Sequence, residues 1–340
     1  MKSSHASITL RSLAQELKVH VSTVSRVLNG NEDDARSAAA PETVQRIREL
    51  AQRLNYRPNL AAIGLRTQKT RMVSVLVPKL SDPVVATIYE GVDAAATTLG
   101  YLSFVSNTTD APERQRQLGE MALHRHVDGL IFADARRDNT QFIDEIAKRG
   151  VPMVLVSRHL GKKHCSVTCD DVMGGRLAAE HLLSQGHRDI AVLAGEPYAS
   201  SGIDRTKGFL EYCREHGVEI SENWVFHGHF DTSAGREAGE HLMAQRQKPT
   251  AVFATNDFLA VGMMGAVRDA GLITGSDIAI VGYNDTPISS ELPISLTSVR
   301  SPMGAMGYRS MELLLERMEG RKPASEKLAP ELMVRASSRC

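Results

Sequence analysis

The sequence predicts two folds in one chain: an all-α head built on a helix-turn-helix, then an α/β body of parallel, doubly wound sheets. Three observations predict it. Near the N-terminus, ITLRSLAQELKVHVSTVSRVLNG spaces its apolar residues as two short helices around a tight turn. From Met72 onward, short apolar runs alternate with helix-like stretches. Charge divides along the same line: residues 1–71 carry twelve basic and six acidic side chains, a net +6, while the whole chain has a formal net charge of zero. A basic head on an acidic body suits a head that meets phosphates.

In the head, Thr9 is placed to cap a first helix that runs to Leu17, with Leu10, Leu13, Ala14 and Leu17 on one side. Lys18, Val19 and His20 make the turn. A second helix is expected over 21–28, with Val24, Val27 and Leu28 turned inward and Val21, Ser22, Thr23, Ser25 and Arg26 outward. Asn29-Gly30 stops it, Gly30 suiting a left-handed position. An arginine on such a helix can fork onto guanine O6 and N7, and the hydroxyls can reach bases or phosphates. A third helix starts at Pro41 and continues through Val44, Ile47, Leu50 and Leu54 to Asn55-Tyr56-Arg57-Pro58. Residues 59–65 are too few to hold a helix alone, and 66–70 read as a polar linker.

In the body, apolar runs at 72–78, 101–107, 127–133, 152–157, 189–195, 251–257 and 277–284 read as strands of more than one parallel sheet. Ligands of doubly wound folds bind beyond the carboxyl ends of such strands. The polar residues there are Asp82 with Pro83, Asp134 with Arg136, Ser157-Arg158-His159, Asp170-Asp171, Ser200-Ser201 leading to Arg205, Phe230-Asp231, Asn256-Asp257 and Asn284-Asp285. Asp and Asn also cap helices, and Asp171 and Asp257 are expected as caps.

Several classes are excluded. No G-x-x-x-x-G-K-[ST], H-E-x-x-H or G-x-S-x-G motif occurs, so no catalytic residue and no cofactor is expected. The pairs His124/His126 and His227/His229 lack partners at metal-ligand spacing, and Cys165 and Cys169 form a lone C-x3-C, so no metal is expected either. The four cysteines read as reduced thiols. No run is long enough to span a bilayer and no signal-peptide pattern opens the chain, which makes the cytoplasm the expected location and a membrane no partner.

Taken together, TLRSLAQELKVHVSTVSRVLNG, PETVQRI, LNYRPN and a short hinge ending in leucine resemble the lactose-repressor (LacI/GalR) family of bacterial transcriptional regulators. The resemblance extends over nearly the whole chain. It implies a homodimeric repressor that reads a palindromic double-stranded operator. A small-molecule effector then sits between the lobes of a two-lobed, periplasmic-binding-protein-like body with three crossovers. The implied organisation is a DNA-binding head at 1–58, a hinge at 59–71 and a body at 72–340. One lobe takes about 72–168 plus 299–322, the other about 169–298 plus 323–340. DNA contacts are implied at Thr9, Val21, Ser22, Thr23, Ser25, Arg26, Asn29, Tyr56, Asn59 and Leu65, the last as a wedge in the minor groove. Effector contacts are implied at Asp82, Pro83, Asp134, Arg158, Ser201, Arg205, Phe230, Asn256 and Asn284.

The sequence departs from the family pattern at several points. His20 stands where a serine usually caps the second helix. The acidic segment 31–38 is longer than the usual loop, and Ala39-Ala40 replaces a Val-Ser cap. Ile63-Gly64 replaces a polar pair in the hinge, and Val84-Val85 replace aromatics that would wall a ligand. Ser157 and Asn284 each replace an aspartate. Arg158 and Arg205 together suggest an anionic sugar derivative such as a sugar acid; alternatively Arg158 pairs with Asp170 or Asp171 as an inter-lobe strut. The C-terminal heptads that would build a tetramer are missing, which favours a dimer. Competing classes are a solute-binding protein or sugar-modifying enzyme of similar fold, and an architectural DNA protein. The basic head and the lack of an export signal or catalytic motif weigh against the former, the polar residues of the body against the latter.

Overall fold

A computed structural model describes residues 8–56 and 69–338, and the chain divides into two compact units, 1–70 and 71–340. Asn59 and Leu65 lie outside the described residues.

Among the described residues, the first unit holds four helices: α1 (Leu10–Leu17), α2 (Val21–Asn29), α3 (Glu32–Ala38) and α4 (Pro41–Arg53). Their core is Leu13, Ala14, Val24, Val27, Ala35, Val44, Ile47, Leu50 and Ala51. Thr9 caps α1, its hydroxyl accepting from Ser12 N–H at 3.2 Å. His20 does cap α2: its Nδ1 accepts from Ser22 N–H at 3.2 Å and sits 2.7 Å from the Ser22 hydroxyl.

Two expectations about the head need correction. Gly30 is not left-handed but extended, at φ −96°. Its requirement is space: a Cβ there would come within 2.5 Å of the Arg26 carbonyl oxygen and 2.7 Å of Asp34 Cβ. The 31–38 segment is not a loop but a helix. Asn31 accepts from Asp34 N–H at 2.8 Å and Asp34 accepts from Asn31 N–H at 3.2 Å, a reciprocal cap. Its acidic first turn lies at the helix end that favours negative charge. Ala35 is fully buried, and Glu32 pairs with Arg48 of α4 at 2.8 Å.

The second unit holds two six-stranded sheets. The first runs in the order β11-β5-β4-β3-β1-β2, all parallel, with β1 at Met72–Val77, β2 at Leu102–Asn107, β3 at Gly129–Phe132, β4 at Met153–Val156, β5 at Ser166–Cys169 and β11 at Glu326–Leu328. The second runs β12-β10-β9-β8-β6-β7, with β6 at Ile190–Gly195, β7 at Val225–His227, β8 at Ala251–Ala254, β9 at Ala279–Asn284, β10 at Thr297–Arg300 and β12 at Glu331–Met333. Among the described strands of this sheet only β12 is antiparallel. The central strands are buried apolar runs, as sheets covered on both faces require. Helices Pro83–Thr98 and Met303–Met318 pack with the first sheet, Asp171–Ser184 and Ser200–Glu215 with the second.

The chain crosses between lobes three times: after Cys169, after Arg300 and after Leu328. The third crossing falls a few residues later than expected, because β11 adds to the first sheet beside β5. Among the described residues, no helix is long and apolar enough to cross a membrane.

Candidate functional site

On the head, α2 buries Val24 and Val27 and leaves Val21, Ser22 and Arg26 exposed, with Thr23 and Ser25 half-buried. Arg26 makes no ion pair among the described residues, whereas Arg48 and Arg53 are paired with Glu32 and Glu16. The exposed guanidinium therefore keeps its donor fork open outward. Ser22 shares its hydroxyl with the His20 ring, which ties the first turn of α2 to the preceding turn. Asn29 leans back, its amide nitrogen 3.5 Å from the Ser25 hydroxyl and its oxygen buried. Tyr56 packs against the head core, and burial raises its phenol above the ordinary range. Thr9, as the α1 cap, is exposed at the edge of the same unit.

In the body, parallel strands bring the predicted residues to the carboxyl ends of both sheets. Asp82 caps the helix Pro83–Thr98 through Val84 N–H at 2.9 Å; Pro83 begins that helix and is exposed. Burial raises the Asp82 pKa, opposed by the Val84 N–H and by the charges of Lys79, Arg158 and Arg205, so Asp82 senses arginines of both lobes. Val84 and Val85, where aromatics were expected, belong to the core instead.

Arg158 is buried and forks onto Asp110 at 2.9 and 3.0 Å, with Glu196 at 3.7 Å. Burial works against its charge, but Asp110 and Glu196 hold its pKa up. It pairs with neither Asp170 nor Asp171, contrary to the strut expectation: Asp170 caps the helix Asp171–Ser184, and Asp171 is taken by Arg205. Arg205 is buried, donates from Nε to Asp171 at 2.8 Å and from a terminal nitrogen to the Thr255 carbonyl at 2.8 Å, and lies 3.8 Å from the Tyr283 ring centroid. Gly208, one helical turn on, lets the backbone of Val172 approach. Ser201 is buried at the start of the same helix.

Phe230 is half-buried and lies over Gly195 and Gly202, where a Cβ at either glycine would strike its ring. Asn256 is committed at both ends: its oxygen accepts from Leu259 N–H at 2.8 Å and its nitrogen donates to the Phe230 carbonyl at 3.2 Å. It therefore caps a helix and fixes Phe230. Asp257, expected as that cap, instead receives Thr286 N–H, Thr286 Oγ1, Ser289 Oγ and Ser298 Oγ at 2.7, 2.9, 2.9 and 2.6 Å. Three of those bonds pin the segment after β9 and the fourth ties Asp257 to β10; at the end of β9 and just beyond it, Asn284 and Asp285 have φ of 100° and 52°. Asn284 is buried and, among the described residues, its side-chain oxygen has no hydrogen-bond partner.

Asp134 follows β3 and is fully buried, with neither carboxylate oxygen in hydrogen-bond geometry with a partner among the described residues. Burial pushes its pKa up to about 6, the nearby Thr108 and Gln115 side chains tempering the rise. Sequence reasoning missed Asp110, Glu196 and Tyr198. Tyr198 donates to Asp110 at 3.1 Å and stacks under Arg136, whose guanidinium carbon is 3.4 Å from the ring centroid.

A helix-turn-helix head with an exposed polar face on its second helix, followed by a two-lobed α/β body with polar strand ends, is the architecture of a DNA-binding regulator. Residues 9–59 match the bacterial regulatory proteins of the lacI family, and residues 179–338 match the periplasmic binding protein-like domain. The regulator DegA of Bacillus subtilis (strain 168) is 30% identical over 97% of this chain and 98% of its own length. Catabolite control protein A of Priestia megaterium is 32% identical over 92% of each chain. Among solved structures, the lac repressor dimer bound to operator and the anti-inducer ONPF superposes with TM-score 0.88 at 26% identity, covering 98% of this chain and 99% of that one. The regulator CelR in complex with cellobiose superposes with TM-score 0.75 at 29% identity, covering 97% and 99%. The chain belongs to the lacI family: it is a DNA-binding transcriptional regulator, not an enzyme.

The state of Asp134 gives a pH signature. Its ordinary value is 3.8 and its folded value about 6, so folding penalises the charged form. Stability is full below pH about 4 and falls as pH rises to about 6, by on the order of 3 kcal/mol. Asp134→Asn is expected to raise the unfolding midpoint of the body at pH 7.5 and to give no gain at pH 4. An equal gain at both pH values would refute the assignment.

Proposed function

We propose that the protein is a repressor that binds a palindromic operator as a homodimer and is controlled by a neutral sugar held between the lobes of its body. The observation that carries the DNA half is the exposed, unpaired Arg26 on α2, set beside Val21 and Ser22. Thr23, Ser25, Asn29, Thr9 and Tyr56 support or flank that face. Asn59 and Leu65 are proposed to act in the minor groove between half-sites, with 1–58, 59–71 and 72–340 as head, hinge and body. The lac repressor in the solved complex is a dimer on operator, which supports the same arrangement here. So does β2, an edge strand that exposes Leu102 at 56% and Phe104 at 41%, apolar surface that a second copy would cover. The cytoplasm, where the DNA is, is the proposed site of action.

The sugar half rests on which polar groups are already occupied. Both arginines expected to attract an anion are neutralised, Arg158 by Asp110 and Glu196 and Arg205 by Asp171. The buried side-chain atoms of the described residues left without a hydrogen-bond partner include two acceptors at predicted site positions, the Asn284 oxygen and the Asp134 carboxylate. Acceptors at the strand ends, together with the half-buried Phe230 ring on the second lobe, suit a hydroxyl-rich ligand with an apolar face, and a sugar acid less well. CelR binds cellobiose in its solved complex, which supports a carbohydrate here.

Arg26→Ala is expected to cost about 1–3 kcal/mol of discrimination between operator and scrambled DNA. An equal loss on every duplex would reduce Arg26 to a phosphate contact. For the effector, a thermal-shift series of neutral mono- and disaccharides against sugar acids is the test. A neutral sugar is expected to raise the melting temperature of the body and Phe230→Ala to abolish the rise; a response to sugar acids alone would contradict the neutral reading. Arg205→Ala is unsuited to this purpose, because stranding Asp171 in the interior costs about 3–5 kcal/mol.

A further inference from the structure

Three loops of the first lobe, those following β2, β3 and β4, converge on one segment of the second lobe, residues 196–204. Tyr198 stands at the centre and meets all three. Its hydroxyl donates to Asp110, after β2, at 3.1 Å. Its carbonyl accepts from the backbone N–H of Arg137, after β3, at 3.0 Å. Its ring lies under the Arg136 guanidinium at 3.4 Å, with the Arg158 guanidinium, after β4, at 5.8 Å from the ring centroid. The charges around it are closed on themselves. Arg158 forks onto Asp110, Glu196 lies 3.7 Å from Arg158, and Arg136 forks onto Asp138 at 3.0 and 2.7 Å while donating to the Asp110 carbonyl at 2.9 Å. Beside it, His159 N–H donates to Ser200 Oγ at 2.7 Å and His159 Nε2 lies 2.8 Å from Asp204.

We propose that Tyr198 is an inter-lobe latch: it holds the two lobes on each other through side chains of the chain itself, and its withdrawal loosens the contacts beside it so that the lobes can part. The physical grounds are threefold. A tyrosine orders few rotatable bonds for the contact area it makes. A guanidinium stacked on a ring is stabilised by cation–π attraction, more so when shielded from water. The hydroxyl completes the coordination of Asp110, which already carries the fork from Arg158, so ring, hydroxyl and carbonyl form one cooperative unit. The inference does not depend on which small molecule the body binds.

Two cross-lobe amides report on the latch directly, those of Arg137 and His159, because their partners lie on the opposite lobe. Hydrogen exchange of the full chain, read by mass spectrometry on peptides containing them, compares native protein with Tyr198→Ala and Tyr198→Phe. Tyr198→Ala is expected to speed exchange of both amides by at least ~10-fold, while peptides from β3 and from the helix Met303–Met318 stay protected. Tyr198→Phe, which keeps the ring on Arg136 and loses the hydroxyl, is expected to fall between. Native-like exchange of the Arg137 and His159 peptides in Tyr198→Ala would overturn the proposal. So would an increase spread evenly over both sheets, which would mark a structural role only.

Discussion

A parallel sheet delivers every strand's carboxyl end to the same edge, and the body of this regulator is organised by that constraint. In the first lobe Asp82, Asp110, Asp134 and Arg158 all follow strands that run the same way. In the second, Glu196, Tyr198, Asn256 and Asn284 do the same. The central strands β1, β3, β4, β6, β8 and β9 are mostly apolar and buried, so much of the buried polar chemistry of the body gathers at these ends. Charges concentrated there must be compensated, and they are compensated mostly by one another: Arg158 by Asp110, Arg205 by Asp171, Arg136 by Asp138. Such closed pairs contribute little net stability but cost a great deal when one member is lost. Each of these pairs closes within one lobe, and the relation between the lobes is set by the contacts that cross it, such as Tyr198 to Asp110, Arg158 to Glu196 and His159 to Ser200.

The head works by the opposite rule. There α2 leaves Arg26 exposed and, among the described residues, without an ion pair. The added helix α3 does not disturb this face. It packs Ala35 into the head core, ties itself to α4 through Glu32 and Arg48, and fits against the end of α2 because residue 30 has no side chain. A segment that reads as an acidic intrusion is thus a built part of the head.

Much of this was legible in the sequence, and the failures have physical causes. The seven apolar runs were readable as strands because burial on both faces demands continuous apolar residues. The strands at 166–169 and 297–300 were not, because Ser166, Thr168, Thr297 and Ser298 look like loop residues. Their burial is possible only because partners satisfy them, as when Ser298 donates to Asp257, 41 residues away in sequence. The setting of Arg205 marked it as important, yet its partner Asp171 read as a helix cap. Asp110 and Tyr198 were invisible as a site because they are 88 residues apart and meet only across the lobes. Helix α3 carried a readable signal, the reciprocal cap of Asn31 and Asp34, but seven residues are too few to hold a helix without the tertiary contacts of Ala35.

The central claim is that two copies of this chain read a palindrome through α2. The direct test is an equilibrium titration, at one fixed salt concentration, of the full chain onto a palindromic duplex selected from a random pool, onto its single half-site and onto a scrambled duplex. The palindrome is predicted to bind at least ~10³-fold more tightly than the scrambled duplex, with two chains per duplex, and the half-site to fall far below the palindrome. Equal affinity for all three duplexes, or one chain per palindrome, would contradict it.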